Sequence, residues 1–569
     1  MAKKAFLIGI DGATFDIIKP LVKKGELPNI AKLIKEGTSG NLTSTFPSMT
    51  IPAWPAAITG VNPGKLGVSS FIRNTHTYEP DWVVSSNDIK AKSIWNYLEQ
   101  AGKKSIVVNI PYLYPPQKIN GIMVAYFNAR GIGDKISAYP SEISKELFDV
   151  LDLDSLMKNR RNFSYVSIFS RYGNKSSKEF WLDQLVDFHR IAVEKLREGT
   201  LYLMGKYEWD FFMVVFNSTD FLQHKLICFI DKDNPAYDEE LSKKYYNEIF
   251  DCYKRIDKAI GDILRKLDKD TSVVIISDHG FSTLKKKFFV NKWLIANGLL
   301  CLNSSKYKIT LLKVPLFGIL TKLGMLKIIH FLPEKIKNMH IPIIWRKKKS
   351  FSEIIDWKKT KAYSHSDTIN VNLKGREPAG IVNNEEYWNV INFIKKELSV
   401  LKDDKTGMAI VDKIYEKSEI YSGPFVDNAS DLQFFFNSPN YGISTKLFGG
   451  RGFFEQITKE DKVVGVHQSA NQGIFIAYGT EIDNGRTPNT PHIMDITPTI
   501  LYLLGLPIPE EMDGRVLTDI IRAEYLGKNQ IQYTKENIFR ENVEKGAESF
   551  TKEESQRIMN ALKNLGYFG

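Results

Sequence analysis

Apolar residues along this chain come in short unbroken runs, and each run stops at a polar residue with chemical potential. The clearest is Thr271-Ser-Val-Val-Ile-Ile-Ser-Asp-His-Gly280, where Val273 to Ile276 is closed by Asp278, His279 and a turn glycine. Ala5 to Ile10 ends in Asp11-Gly12, and Ile106 to Val108 runs into Asn109-Ile110-Pro111. Phe211 to Phe216 ends in Asn217-Ser218-Thr219-Asp220, with His224 following Asp220 by four residues. Runs without alternation predict strands buried on both faces, as in a parallel sheet. Ligands of open α/β sheets sit beyond the carboxyl ends of the strands. A turn cap explains any one of these polar residues. Their recurrence at the same end of four strands predicts one shared site.

Between these runs the period changes to that of helices. Asp16 to Gly37, Ser93 to Ala101, Phe180 to Leu203 and a long stretch from Tyr237 to Leu267 carry apolar residues at helical spacing. The alternation predicts an α/β fold built on a doubly wound, mostly parallel sheet. Asp220 and His224, spaced i and i+4, fall on one face if the chain turns helical there, and could grip one cation.

The character shifts after Phe281. Residues 300–350 are rich in Lys, Leu and Ile and nearly free of acids. Three readings fit them: a peripheral membrane-surface helix, a lid over an anionic ligand, or a cap helix packed on the core. Lys374 and Arg376 follow, as substrate contacts or as solvated charges. Residues 291–424 are taken as an inserted α/β cap, dividing the core into 1–290 and 425–525, with the core resuming near Ser430 to Phe436. The polar stretch 526–569 predicts a helical C-terminal tail, solvated or in contact with another subunit.

At 569 residues the chain exceeds one compact core, which agrees with a core plus insertion. A net charge of +11 permits an anionic substrate, a membrane surface or nucleic acid without selecting among them. No nucleic-acid motif is present. Cys228, Cys252 and Cys301 are isolated, which suits a reducing compartment. With no signal-like start and no apolar run near the ~20 residues of a membrane span, a cytoplasmic location is expected.

Thr50 lies in Pro47-Ser-Met-Thr-Ile-Pro52 at the expected start of a helix. A hydroxyl there caps the helix or sits where an anion binds well. Asp11-Gly12, the Thr50 segment, Thr59-Gly60…Pro63-Gly64…Gly67, Asp220…His224, Asp278-His279-Gly280 and His467 occur in that order. The ordered set resembles the alkaline phosphatase superfamily, specifically the type I phosphodiesterase/nucleotide pyrophosphatase family, over about residues 1–290 and 425–520. The resemblance implies an alkaline-phosphatase-like core and two divalent cations, Zn²⁺ first and Mn²⁺ as the alternative. One cation would be held by Asp220, His224 and His467, the other by Asp11, Asp278 and His279 with the Thr50 hydroxyl. Thr50 would attack phosphorus and form a phospho-threonine intermediate on a small nucleotide or other phosphodiester.

Two positions depart from the animal members: Phe71 stands where they carry a phosphate-holding asparagine, and Leu66 where a histidine is frequent. Asn109 could take over phosphate contact or simply orient its loop. Alternatives on the same scaffold are a phosphomonoester, phosphonate or phospholipid-headgroup hydrolase, or a phosphomutase. A non-catalytic protein binding phosphorylated ligands or membranes is the reading from another class.

Overall fold

The computed structural model describes all residues except 1–3, 80–81, 112, 126–135, 154–177, 304–349, 404, 448–451, 468–470, 542–549 and 566–569. The lysine-rich stretch therefore lies almost wholly outside the described residues, and so does any reading of it.

The apolar runs become the centre of an eight-stranded sheet. Its strands are β1 (Lys4–Ile10), β2 (Thr38–Thr43), β3 (Ser105–Val108), β4 (Gly121–Val124), β5 (Ala138–Tyr139), β6 (Phe211–Phe216), β7 (Thr271–Ile276) and a last strand, Gln472–Tyr478. Across the sheet the order is β2, Gln472–Tyr478, β7, β1, β6, β3, β4, β5. Neighbours from β7 to β4 are parallel. Strand Gln472–Tyr478 is antiparallel to both β7 and β2, and β5 is antiparallel to β4. Strands β6 and β7 are buried at every position, which is why they read as continuous apolar sequence.

This order decides what meets at the edge. Strands β7, β1 and β6 are adjacent, so the residues that follow them, Asp278, Asp11 and Asp220, emerge side by side. Because Gln472–Tyr478 runs the other way, it is the start of that strand, with His467 just before it, that reaches the same edge.

A second hydrophobic cluster runs from Phe288 to Phe454 and includes Tyr363, Ile369, Ile391, Leu432 and Phe434. It is built on a four-stranded sheet, Ala362–Tyr363, Thr368–Val371, Leu432–Phe436 and Val411–Glu416 in spatial order. Leu432–Phe436 thus pairs inside the smaller sheet, and the large sheet resumes only at Gln472. The cluster passes both ends of the 291–424 interval.

Two expected elements differ. The stretch from Tyr237 to Leu267 forms two helices, Glu239–Tyr245 and Glu248–Leu264. Asn247, a residue whose side chain competes with helical bonding, stands at the break, followed by acidic Glu248 at the new N-terminus. The C-terminal stretch is not a solvated tail. Tyr533–Thr534 pairs with Ile508–Pro509, and Phe550, Ile558, Met559 and Leu562 are buried in the main core. Among the described residues, no helix is long and apolar enough to cross a membrane.

Candidate active site

Asp11 leaves β1 through Gly12, whose φ of +65° is open to glycine at little cost. A Cβ on Gly12 would stand 3.2 Å from Asp220 Oδ1, so the bare backbone also makes room for that carboxylate. The Gly12 amide donates to Asp278 Oδ1 at 3.1 Å, linking the turns after β1 and β7. The Thr219 hydroxyl donates to the Asp11 carbonyl at 2.5 Å, linking β1 to the helix after β6. Ser44 Oγ donates to the Asp278 carbonyl at 2.5 Å and brings in the chain leaving β2.

Six of the predicted side chains meet here. Asp11, Asp220, His224, Asp278, His279 and His467 are each at most 3% exposed. His279 Nε2 lies 3.3 Å from Asp278 Oδ2, 3.8 Å from Asp11 Oδ1 and 4.0 Å from Asp220 Oδ1. His224 Nε2 lies 3.5 Å from Asp220 Oδ1. Donor atoms of Asp11, Asp278 and His279 fall within 4.8 Å of one another, and so do those of Asp220, His279 and His467. His279 therefore stands between the two groups, its ring stacked on His467 at 3.9 Å.

The three imidazoles share one arrangement. Nδ1 of His224 lies 3.1 Å from the Gly465 carbonyl, Nδ1 of His279 2.9 Å from the Gly280 carbonyl, and Nδ1 of His467 2.6 Å from the Ser48 carbonyl. A carbonyl can only accept, so each ring carries a proton on Nδ1 and turns Nε2 toward the cluster. That is how proteins orient metal-binding histidines. Asp11 Oδ1, Asp278 Oδ2 and His279 Nε2 are buried without a hydrogen-bond partner among the described residues. Buried acceptors with nothing donated to them are costly. A cation would satisfy all three at once. Carboxylate oxygens with imidazole nitrogens suit Zn²⁺ or Mn²⁺ better than Mg²⁺.

The electrostatics agree. Burial, then the carboxylates of Asp278 and Asp220, push the Asp11 carboxyl well above its ordinary range. Burial also raises Asp278, though His279 acts against it. At Asp220 burial acts upward too, but His224, and then His279, outweigh it and bring the carboxyl to about 2. His467 is pushed far down, by burial and then by the other two imidazoles, and so is held neutral. Carboxylates crowded together disfavour one another's charge, and bound cations invert that balance.

Thr50 is buried at the head of the helix Thr50–Thr59. Ile51 departs from helical geometry (φ −110°, ψ 123°), so a kink sets Thr50 apart from the regular turns. Two contacts tie this segment to the cluster: His467 Nδ1 to the Ser48 carbonyl, and Trp54 Nε1, which donates to Asp11 Oδ2 at 3.2 Å. Trp54 lies over β1 at Gly9, where a Cβ would stand 2.4 Å from the indole. These supports, Ser44, Trp54 and Thr219 among them, carry no pattern of their own in the sequence.

The remaining predicted residues sit differently. Asn109 is buried beyond β3 with φ +62°, and its Nδ2 donates to the Val215 carbonyl at 2.7 Å. Arg376 makes a two-pronged pair with Asp431 at 2.7 and 2.6 Å and also binds Glu377. Lys374 is exposed. Phe71 is fully buried in the main core.

Fold and site together define an α/β protein whose buried carboxylates and imidazoles gather at one edge of its large sheet. The chain belongs to the type I phosphodiesterase/nucleotide pyrophosphatase family: the sequence model of that family matches residues 5–447. It is thus a hydrolase of the phosphodiesterase/nucleotide pyrophosphatase type, within the alkaline phosphatase superfamily. His467 lies beyond the matched range. No curated protein matches the chain. Among solved structures, human ectonucleotide pyrophosphatase/phosphodiesterase 5 is similar at 13% identity and a TM-score of 0.46, covering 91% of this chain and 100% of that one. An inactive form of the murine protein, in complex with AMP, is similar at 12% identity and 0.47, with the same coverage.

Proposed function

We propose that this protein is a metal-dependent phosphodiesterase that works through Thr50 and a phospho-threonine intermediate. The observation that carries the reading is the set of three imidazoles with Nδ1 bonded to backbone carbonyls and Nε2 turned toward buried carboxylates. Asp220, His224 and His467 would hold one divalent cation. Asp11, Asp278, His279 and the Thr50 hydroxyl would hold the other. The donors favour Zn²⁺, with Mn²⁺ second. When bound, such a pair supplies Lewis acidity to the phosphoryl oxygens and makes a hydroxyl or water nucleophilic at neutral pH.

Thr50 Oγ1 forms its bond to phosphorus as the bond to the leaving oxygen breaks in line on the opposite side. Water then cleaves the Thr50–phosphorus bond and returns the threonine hydroxyl. In this reading the Trp54–Asp11 bond ties the helix that begins at Thr50 to the cluster, and Thr50 itself is buried. The substrate class is a small nucleotide or other phosphodiester. A cytoplasmic place for this activity rests on the three isolated cysteines.

The test is hydrolysis of bis-p-nitrophenyl phosphate against p-nitrophenyl phosphate, after chelation and with Zn²⁺ or Mn²⁺ restored. Diester turnover that needs the cation and falls at least 10³-fold in Thr50→Ala, with bound metal retained, is expected on the scale of losing a nucleophile. Turnover surviving in Thr50→Ala would overturn the threonine mechanism. Activity on the monoester alone would move the protein to phosphatase chemistry.

A further inference from the structure

The residue after His224 is a lysine with almost no access to water. Lys225 is 5% exposed, and its ammonium lies 5.8 Å from the centre of the Trp181 ring. A buried ammonium is expensive unless its donors are used. Here they reach two distant parts of the chain: the carbonyl of Lys462 at 2.7 Å, and the carbonyl of Asn564 near the end of the helix Lys552–Leu565. A carbonyl at a helix C-terminus is a preferred acceptor for lysine, since it carries the negative end of the helix dipole.

Both contacts bear on the cation cluster. Lys462 begins the segment that leads to His467. That segment is laid along the end of the helix Ser218–Leu226 by two further bonds, the Val464 amide to the His224 carbonyl at 3.0 Å and His224 Nδ1 to the Gly465 carbonyl at 3.1 Å. Lys225 closes the same junction from the other side and fastens it to the C-terminal helix, whose Ile558, Met559 and Leu562 are anchored in the main core.

We propose that Lys225 is a positioning residue for one of the two cation sites: it locks the segment carrying His467 and the C-terminal helix onto the helix carrying Asp220 and His224. The inference rests on the two-cation reading above. It gives residues 552–565, which lie outside the family match, a role in the chemistry. Asp11, Asp278 and His279 reach the cluster from β1 and β7, and Asp11 meets the helix Ser218–Leu226 at its start, through Thr219, while Lys225 acts at its far end, so the effect is expected to fall mainly on one site.

The experiment is a calorimetric titration of chelated full-length protein with Zn²⁺. His224→Ala and Asp278→Ala each delete one binding event and so label the two. Lys225→Met keeps the stem and removes the donors. It is expected to weaken mainly the event that His224→Ala deletes, by roughly 10–100-fold, the range for groups that orient a metal ligand. Lys225→Arg, which keeps charge and donors, is expected to recover part of that loss. Leu562→Ala loosens the C-terminal helix without touching the site and is expected to weaken the same event more mildly. It serves as the test if Lys225→Met does not fold. Equal weakening of both events, or no change in either, would overturn the proposal. A wild-type protein that binds no Zn²⁺ or Mn²⁺ would instead overturn the two-cation reading itself.

Discussion

Arg376 shows what a charged side chain near a site is worth when its partners are counted. Its guanidinium clasps Asp431, a carboxylate with no exposure, which also accepts from the Val371 amide at 2.7 Å and the Tyr387 hydroxyl at 2.9 Å. Removing one member of a buried pair leaves the other uncompensated, at a cost of about 3–5 kcal/mol. Arg376→Met is therefore expected to lower unfolding stability by that order in urea denaturation, while the number of bound cations stays the same. Burial pushes the Asp431 carboxyl up, but Arg376 and then Lys417 overcome it and hold the group below the ordinary carboxylate range. A carboxyl whose folded value is depressed stabilises the fold above its unfolded value, near pH 4. That stabilisation drains away as pH falls through the lower folded value. The stability gap between wild type and Arg376→Met should thus be full at pH 6 and shrink below about pH 4. A gap that does not vary with pH would mean that the pair carries none of it. The sequence left Arg376 between substrate contact and solvated charge because its partner lies 55 residues away. The strand-end residues were legible for the opposite reason. Apolar runs announce where a strand stops, and the next polar residue must then stand at the sheet edge. That His279 stands between the two donor groups was not legible, since it follows from side-chain geometry alone.

At the scale of elements, the helix Pro28–Glu36 has no side-chain cap of its own, because Leu27 stands at its N-cap. Asp257, from the helix Glu248–Leu264, supplies the cap across the interface: Oδ1 accepts from the Ile30 amide at 2.7 Å and Oδ2 from the Asn29 amide at 3.3 Å. Asp257→Ala should cost about 1–2 kcal/mol, the usual range for an N-cap, in chemical denaturation. Asp257→Asn, which keeps one acceptor, should cost less. A cap that comes from another helix leaves no local mark in the sequence, whereas a proline at the first helical position, as Pro28 is here, does. The C-terminal helix was misjudged by a related limit. Its dense charges read as a solvated face, and the stripe of Ile558, Met559 and Leu562 at helical spacing is short. Only the cleft it fills makes that stripe decisive.

At the scale of the whole molecule, the described residues form two hydrophobic clusters with different duties. Phe434, 4% exposed in the smaller one, packs edge-on against Phe288 and Phe436. Phe434→Ala should cost about 3–5 kcal/mol and leave cation binding at the large sheet unchanged, as followed by thermal unfolding alongside metal analysis. Loss of the cations together with that packing would show that the two clusters are not separable in this way. The reversed strand Gln472–Tyr478 has a further consequence, for the chain as it is made. It lies between β2 and β7 and is the sole sheet partner of β2 among the described residues. Until it leaves the ribosome, β2 has nothing to pair with and β7 is a bare edge, and strand edges left open in partly made chains invite aggregation. At about 5–20 residues per second, the two hundred or so residues between β7 and this strand take roughly 10–40 s to add. For that interval the nascent protein holds most of its core around an unfinished seam, and the strand that closes the seam arrives just after His467.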